Sequence, residues 1–578
     1  GEGKEISVES ADLKVIFTSG SGTINGTNIE PGWRSGENTF TVKNESNGTY
    51  KYNIIIKDLV NTFVTEGFLV YKITSTDGGY KMTDFEDVPK SKTSKDTILA
   101  YNISIDKDAT HTYTVEYKYL ESTEVDQSAD MGKTLTGKIF ITKGTERPTL
   151  ANQLLNDNPT IGTRNDFSTP FTTNTVNTLY KSTENGTDVY YFAGAEFVSA
   201  HCKYNDKIIT KWFASNAITK EICQAELTLC EIGDKLYYGH SNCSGENGTS
   251  ITTTEGKWVE SVEKPINNWV KFGKYAIDGP IRGHYSDFNP NFITYTTMEE
   301  CTSASSYNYN CAYAWKAGDD IYWRIIRTNA DGSVRLLYSG ASPDTLEGVI
   351  DKSEFNASKD SPKYVGYMYG DTDTTLDEAR TNTNNSTIKT VIDNWYANNM
   401  KSYTKYLSTT AVYCNDRELA SGETYSTSSS FDYAANTRLD TNKTPTYDCT
   451  NDNDKFTVDA SAGNGKLTYP IALMTADEIS YAGGVYNTIA PMWYYTNSSL
   501  ESSIGRAYWW SLSPHSRFGS SARMWRVRGN ERPGDLTNYY VSDLGGVRPA
   551  ISLKSCVQWK SGDGSASNPY EISTTSGC

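Results

Sequence analysis

No cysteine occurs before Cys202 in this chain of 578 residues, and no apolar run reaches the roughly 18 residues that a membrane-spanning helix needs. No membrane span is therefore expected. The first third must hold together without disulfides. Positive charge is in short supply: Lys and Arg total 54 against 70 Asp and Glu, a net charge of −16. Such a chain lacks the overall attraction for a phosphate backbone, which argues against a nucleic-acid partner. Histidine is scarce as well. The five, His111, His201, His240, His284 and His515, are scattered and form no H-E-x-x-H pair, so zinc-protease chemistry has no ligand set. "SLSPHS" around His515 is not the G-x-S-x-G elbow of a serine hydrolase. The chain opens at Gly1 with neither an initiator methionine nor a signal peptide, which reads as a processed or trimmed product.

What is there is an even set of ten cysteines, none spaced C-x-x-C as zinc sites usually are. They read as disulfides formed in an oxidising compartment. Pairing within segments gives Cys301–Cys311, Cys414–Cys449 and Cys556–Cys578, with Cys202, Cys223, Cys230 and Cys243 paired among themselves. Asn, Thr, Ser, Tyr and Gly dominate the composition, which suits an extracellular β-rich protein.

Residues 1–145 run strand after strand. "TFTVKN", "YKYNIIIK", "FLVYKIT", "TILAYNISI", "HTYTVEYKY" and "TLTGKIFIT" are separated by turn clusters such as Asp77-Gly78-Gly79, the pattern of a β-sandwich or jelly roll. In "HTYTVEYKY" the alternation puts Tyr113, Val115, Tyr117 and Tyr119 on one face. Ahead of them, "GKEISVES" is a short strand with Ile6 and Val8 on one side. It reads either as an edge strand of its own sandwich or as a strand donated to a neighbouring copy. Residues 146–180 read as a connector with two or three helical turns capped by Thr149.

Residues 181–578 change character. "LYKSTENGTDVYYFAGA" is a hairpin turning at Asn185-Gly186. "NSTIKTVIDNWYANNM" carries Ile388, Val391, Ile392 and Trp395 at helical spacing. "MTADEISYAGG" carries a Thr475/Glu478 capping box with Gly483 beyond it. Strands with helices between them make this an α+β region.

Two resemblances follow from these stretches. "NIEPGWRSGENTFTVKN", with the strands after it, resembles the TasA/camelysin-like surface domains of Gram-positive bacteria, which implies a jelly roll and, in some members, fibres built by strand exchange. "NNWVKFG", "YWRIIRTNADGSVRLLYSG", "YPIALMTADEISYAGGVY", "YWWSLSP" and "GGVRPAISLKS" look like bacterial surface proteins that end in a C-type-lectin-like domain. The resemblance implies a binding function with no turnover. This chain departs from that pattern in two cysteine-bearing inserts, near 196–264 and 275–319.

Between Trp509-Trp510 and Gly546-Val547-Arg548-Pro549 lies the candidate site. In "ARMWRVRGN" strand alternation puts Trp525 and Val527 on a core face and Met524, Arg526 and Arg528 on the other. Arginine and aromatic side chains are frequent binding hot spots. A displayed ligand face is expected from His515, Arg517, Phe518, Arg523, Arg526, Arg528, Asn530, Arg532, Asn538 and Tyr540. No catalytic residue, metal or cofactor is assigned. Asp371, Asp373, Asp377 and Glu378, and more weakly Asp452 and Asp454, have the oxygen chemistry for Ca²⁺ but read as solvated acidic turns. The expectation is an extracellular surface or filament subunit that binds copies of itself and a glycan or protein ligand. The rivals are a secreted enzyme acting on glycan or peptide and a purely structural fibre subunit.

Overall fold

The computed structural model describes residues 5–10, 13–19, 23–25, 29–172, 176–195, 200–212, 216–260, 266–286, 289–304, 310–345, 348–497, 508–529, 532–574 and 578; for the first three ranges, and for 284–286, 289–291 and 310, the description is of backbone alone. The chain is mainly β and divides into two compact units, Gly1–Pro148 and Thr149–Cys578.

The first unit has ten strands: β1 (Glu5–Ser10), β2 (Leu13–Ser19), β3 (Thr23–Asn25), β4 (Asn38–Asn44), β5 (Tyr50–Asn61), β6 (Leu69–Ser75), β7 (Glu86–Asp87), β8 (Ser91–Ile105), β9 (Thr110–Tyr119) and β10 (Leu135–Lys143). They form two sheets, β1-β2-β4-β9-β6-β7 and β3-β10-β5-β8. Their apolar faces meet in one core: Val42, Ile73 and Val115 come from the first sheet, Ile54, Ile56, Leu99 and Ile141 from the second. β9 alternates as its sequence requires, burying His111, Tyr113, Val115, Tyr117 and Tyr119. Polar atoms within this core pair with one another at Tyr52. The Tyr52 hydroxyl meets His111 Nδ1 at 2.8 Å and the Tyr113 hydroxyl, and burial holds the His111 pKa below its usual value.

The donated-strand expectation is corrected here. β1 is hydrogen-bonded to β2 of its own chain, with Ile6 opposite Phe17 and Val8 opposite Val15. It is an ordinary edge strand, completed locally because β2 supplies the ladder that a neighbour would otherwise provide.

The expected connector 146–180 is also corrected. Helix α1 (Leu150–Asp157), capped by the Thr149 hydroxyl on Asn152 N–H, buries Leu150 and Leu154 in the core of the second unit. β11 (Thr160–Gly162) then pairs in parallel with β12 (Thr178–Glu184). Apolar residues at positions 150 and 154 of an α-helix share one face, and that face needs a partner.

The second unit is built on an eight-stranded sheet. Its path runs β11, β12, β13 (Thr187–Tyr191), Asp320–Thr328, Val334–Gly340, Pro549–Leu553 and Ala472–Leu473, with Trp269–Lys274 also pairing to Asp320–Thr328. The β12–β13 hairpin turns with φ +50° at Asn185 and +78° at Gly186, the left-handed pair that a two-residue turn requires. Helix α2 (Thr387–Asn399) buries Ile388, Ile392 and Trp395 and is capped by the Ser386 hydroxyl on Lys389 N–H. Helix α3 (Ala476–Ala482) has both halves of its Thr475/Glu478 capping box. A six-stranded sheet carries the candidate site. It includes β14 (Trp509–Phe518), β15 (Ser521–Val527) and β16 (Leu536–Tyr540), with β16 at its edge.

All five disulfides lie in this unit: Cys202–Cys223, Cys230–Cys243, Cys301–Cys311, Cys414–Cys449 and Cys556–Cys578. The first two staple a separate six-stranded sheet between His201 and Val259, whose small core of Ile209, Leu227, Leu229 and Leu236 includes Cys202 and Cys223. The fourth closes a ring from Cys414 to Cys449, and residues 421–430 of that ring are largely exposed coil. Among the described residues no helix is long and apolar enough to cross a membrane.

Candidate functional site

β14 and β15 form a hairpin in which Phe518 stands opposite Ser521 and Arg517 opposite Ala522. Gly519, at φ +61°, makes the tight turn. β16 runs antiparallel to β15, setting Arg523 opposite Tyr540 and Trp525 opposite Asn538. The register brings Phe518, Arg523, Asn538 and Tyr540 together. The Arg523 guanidinium carbon lies 4.8 Å from the Phe518 ring centre and 4.7 Å from that of Tyr540. Arg523 Nη1 donates to Asn538 Oδ1 at 3.1 Å and Nη2 to the Tyr540 hydroxyl at 3.3 Å. Phe518 is 63% exposed. Lys359 adds its ammonium 4.2 Å from the centre of the same Tyr540 ring, and the 40%-exposed Tyr539 lies 5.0 Å from Tyr540.

The other expected site residues are not on this face. Arg526 is buried, held between the rings of Tyr508 at 4.0 Å and Tyr539 at 4.1 Å, with Nη1 donating to Asp543 Oδ2 at 3.0 Å. Met524 is buried too, so the sheet is covered on both sides where a displayed face was expected. The outward arginine is Arg523, which alternation puts on the side of Trp525 and Val527, at the rim of the core. Arg517 is buried and spans two turns, donating to the carbonyls of Gly519 at 2.6 Å and Thr427 at 2.7 Å. His515 is buried against Trp525, and burial, with the Arg523 charge, pushes its pKa down to about 3, so it stays neutral. Arg528 and Arg532 share the buried Asp535, at 3.8 Å and 2.8 Å, and so fasten their own loop. Asn530 lies outside the described residues.

The acidic turns are engaged by protein groups. Asp371 accepts from Asn384, and Asp373 from Ser361. Asp377 pairs with Arg380 and Glu378 caps at Thr375. Asp452 pairs with Lys455. Asp454 binds Arg417 at 2.7 Å with Arg380 at 3.8 Å. Among the described residues no three His, Cys, Asp or Glu side chains converge as metal ligands.

A polar cleft of about 370 Å³, its open mouth included, was not legible in the sequence. It is lined by Glu184, Arg327, Arg335, Asp416, Arg438, Tyr447 and Asp477. Its charges largely neutralise one another. Arg438 clamps Asp477 at 2.7 Å and reaches Asp416 at 2.9 Å, while Arg327 joins Glu184 at 3.2 Å to Glu478 at 2.9 Å. Burial, with the nearby Asp454 and Asp477 charges, raises the Asp416 pKa to about 6 against the pull of Arg438. The only advance sign of these partners was the capping box, which marks Glu478 and its neighbour Asp477.

No protein-family model, no curated protein and no solved structure matches this chain.

Proposed function

We propose that this chain is an extracellular bacterial surface protein that binds a ligand without turnover, through the Phe518, Arg523, Asn538 and Tyr540 face of its second unit. In this reading the first unit is a jelly-roll module for anchoring or self-association in a filament, and the second is a C-type-lectin-like display domain. Five disulfides confined to the second unit support an oxidising, extracytoplasmic location.

The observation that carries the binding face is Arg523. It is stacked between an exposed and a half-buried ring, and no carboxylate among the described residues lies within 4.0 Å of it. Elsewhere in this unit Arg327, Arg335, Arg417, Arg438 and Arg526 find a carboxylate, and Arg282, Arg517 and Arg548, which find none among the described residues, are buried and donate to main-chain carbonyls. A guanidinium held in place with donors to spare, beside apolar ring faces, is arranged for a partner from outside. Incubation of the purified protein with glycan and peptide panels tests this. Saturable binding with no product, lost in Arg523→Ser, is expected; product formation would favour the rival of a secreted enzyme. Electron microscopy of the native material reads out self-association separately.

A further inference from the structure

We infer that the ligand of this face is an acidic polysaccharide, with a carboxylate seated on Arg523 and Lys359 and a sugar ring lying on Phe518. The inference rests on the binding-face reading above and gives it a substrate class.

Two cations share one aromatic ring: the Arg523 guanidinium carbon and Lys359 Nζ lie 4.7 and 4.2 Å from the centre of Tyr540. Neither has a carboxylate partner among the described residues, although the chain carries a net charge of −16. Both charges sit against one ring, and such a local excess of positive charge favours an anionic partner. Arg523 spends one Nη1 and one Nη2 bond on Asn538 and Tyr540, which orient its planar fork and leave further N–H donors for a carboxylate. The apolar part of the face is a single exposed ring, Phe518, set beside hydrogen-bonding groups. A pyranose, with C–H faces and hydroxyl rims, matches that alternation.

A peptide strand fits poorly. The outer rim of β16 is already capped, because Leu536 N–H donates to Val485 and its carbonyl accepts from Asn487 N–H. At the far end the Tyr540 carbonyl accepts from Asp543 N–H. Too little free backbone remains between them for strand addition.

The test uses the full chain against alginate, the same polymer after carboxyl reduction, polyphosphate and poly-glutamate. Expected is binding to alginate that falls about tenfold or more on carboxyl reduction, and by a similar factor in Phe518→Ala, Arg523→Gln and Lys359→Met, each with an unchanged melting temperature. Lys359→Met, at an exposed position, keeps the test readable if Arg523→Gln misfolds. Equal binding of the reduced polymer, still lost in Phe518→Ala, would overturn the acidic class and leave the face standing. Preference for polyphosphate or poly-glutamate, with the same sensitivity to the variants, would overturn the saccharide. Alginate binding indifferent to all three variants, or no binding to any probe of the two panels, would overturn the face itself.

Discussion

The two units solve the same problem with different chemistry. In the first, the core is built from the strands of two sheets, and among the described residues none of its buried side chains is an arginine or a lysine. In the second, long irregular segments are buried, and ladders cannot reach their carbonyls. Arginine takes over that work. Arg324 donates to the carbonyls of Trp493 at 3.1 Å and Thr496 at 3.0 Å. Arg548 donates to Tyr338 at 2.6 Å and to Tyr494. Arg417 reaches Met368 at 2.9 Å and Asn453 at 3.2 Å. A guanidinium has five donors in a rigid fork, so one side chain can replace several missing ladder bonds. The cost is a buried charge: burial, with Arg324 nearby, holds the Arg548 pKa well below its usual value. Disulfides then restrict an unfolded chain that coil alone would leave with too much freedom.

The sharpest way to break this comparison is reduction. Reducing agent should drop the melting transition of Thr149–Cys578 and leave that of Gly1–Pro148 unmoved in the same calorimetric scan. In the chain-entropy model the ring closed by Cys414–Cys449 alone contributes about 4 kcal/mol. Next in size are two core substitutions. Trp525→Ala removes a fully buried indole and should cost about 3–5 kcal/mol. Arg548→Met should cost about 3 kcal/mol through the stranded carbonyls of Tyr338 and Tyr494, read as a lower denaturant midpoint for the second transition only. A harmless Arg548→Met would mean that arginine is not replacing the ladder.

A smaller effect belongs to the first unit. Tyr52→Phe breaks its hydroxyl contacts with His111 and Tyr113 and should cost about 1–2 kcal/mol in the first transition alone.

The pH dependence separates the units again. The folded pKa of Asp416, about 6, lies above the ordinary carboxylate value, so the folded state binds more protons than the unfolded between roughly pH 4 and 6. This group's contribution therefore falls as pH rises through that window. Asp416→Asn should flatten the pH slope of the second transition there; an unchanged slope would remove Asp416 as its source. The smallest stability effect is expected for Arg523→Ser, within about 0.5 kcal/mol because the side chain lies at the rim, while ligand binding is lost.

Much of this architecture was readable in advance. Period-two alternation located the sandwich strands, and β9 buries the residues its pattern selects. The Thr475/Glu478 box and the Asn185-Gly186 turn are local rules with local outcomes. Spacing within segments matched the cysteine pairs. What failed was whatever depends on a distant partner. Arg526 and Arg517 read as surface charges because their covers, Tyr508 and Tyr539 for one and Thr427 for the other, leave no mark on their own strands. Lys359, 164 residues before Arg523, carries no local signal of joining it. The helix at Leu150–Asp157 was found, but not the core that claims it.

The ring closed by Cys414–Cys449 has a further consequence for resistance to proteolysis. Its exposed stretch at 421–430, rich in serine and without regular structure, is the kind of site that proteases cut first. A single cut there releases no fragment, because both new ends stay tethered through the sulfur bridge. Arg438 still grips Asp477 and Arg517 still holds Thr427, so the damaged chain keeps its shape. Such a protein would show two bands on a reducing gel and one on a non-reducing gel: cuts could accumulate at this loop without loss of the fold.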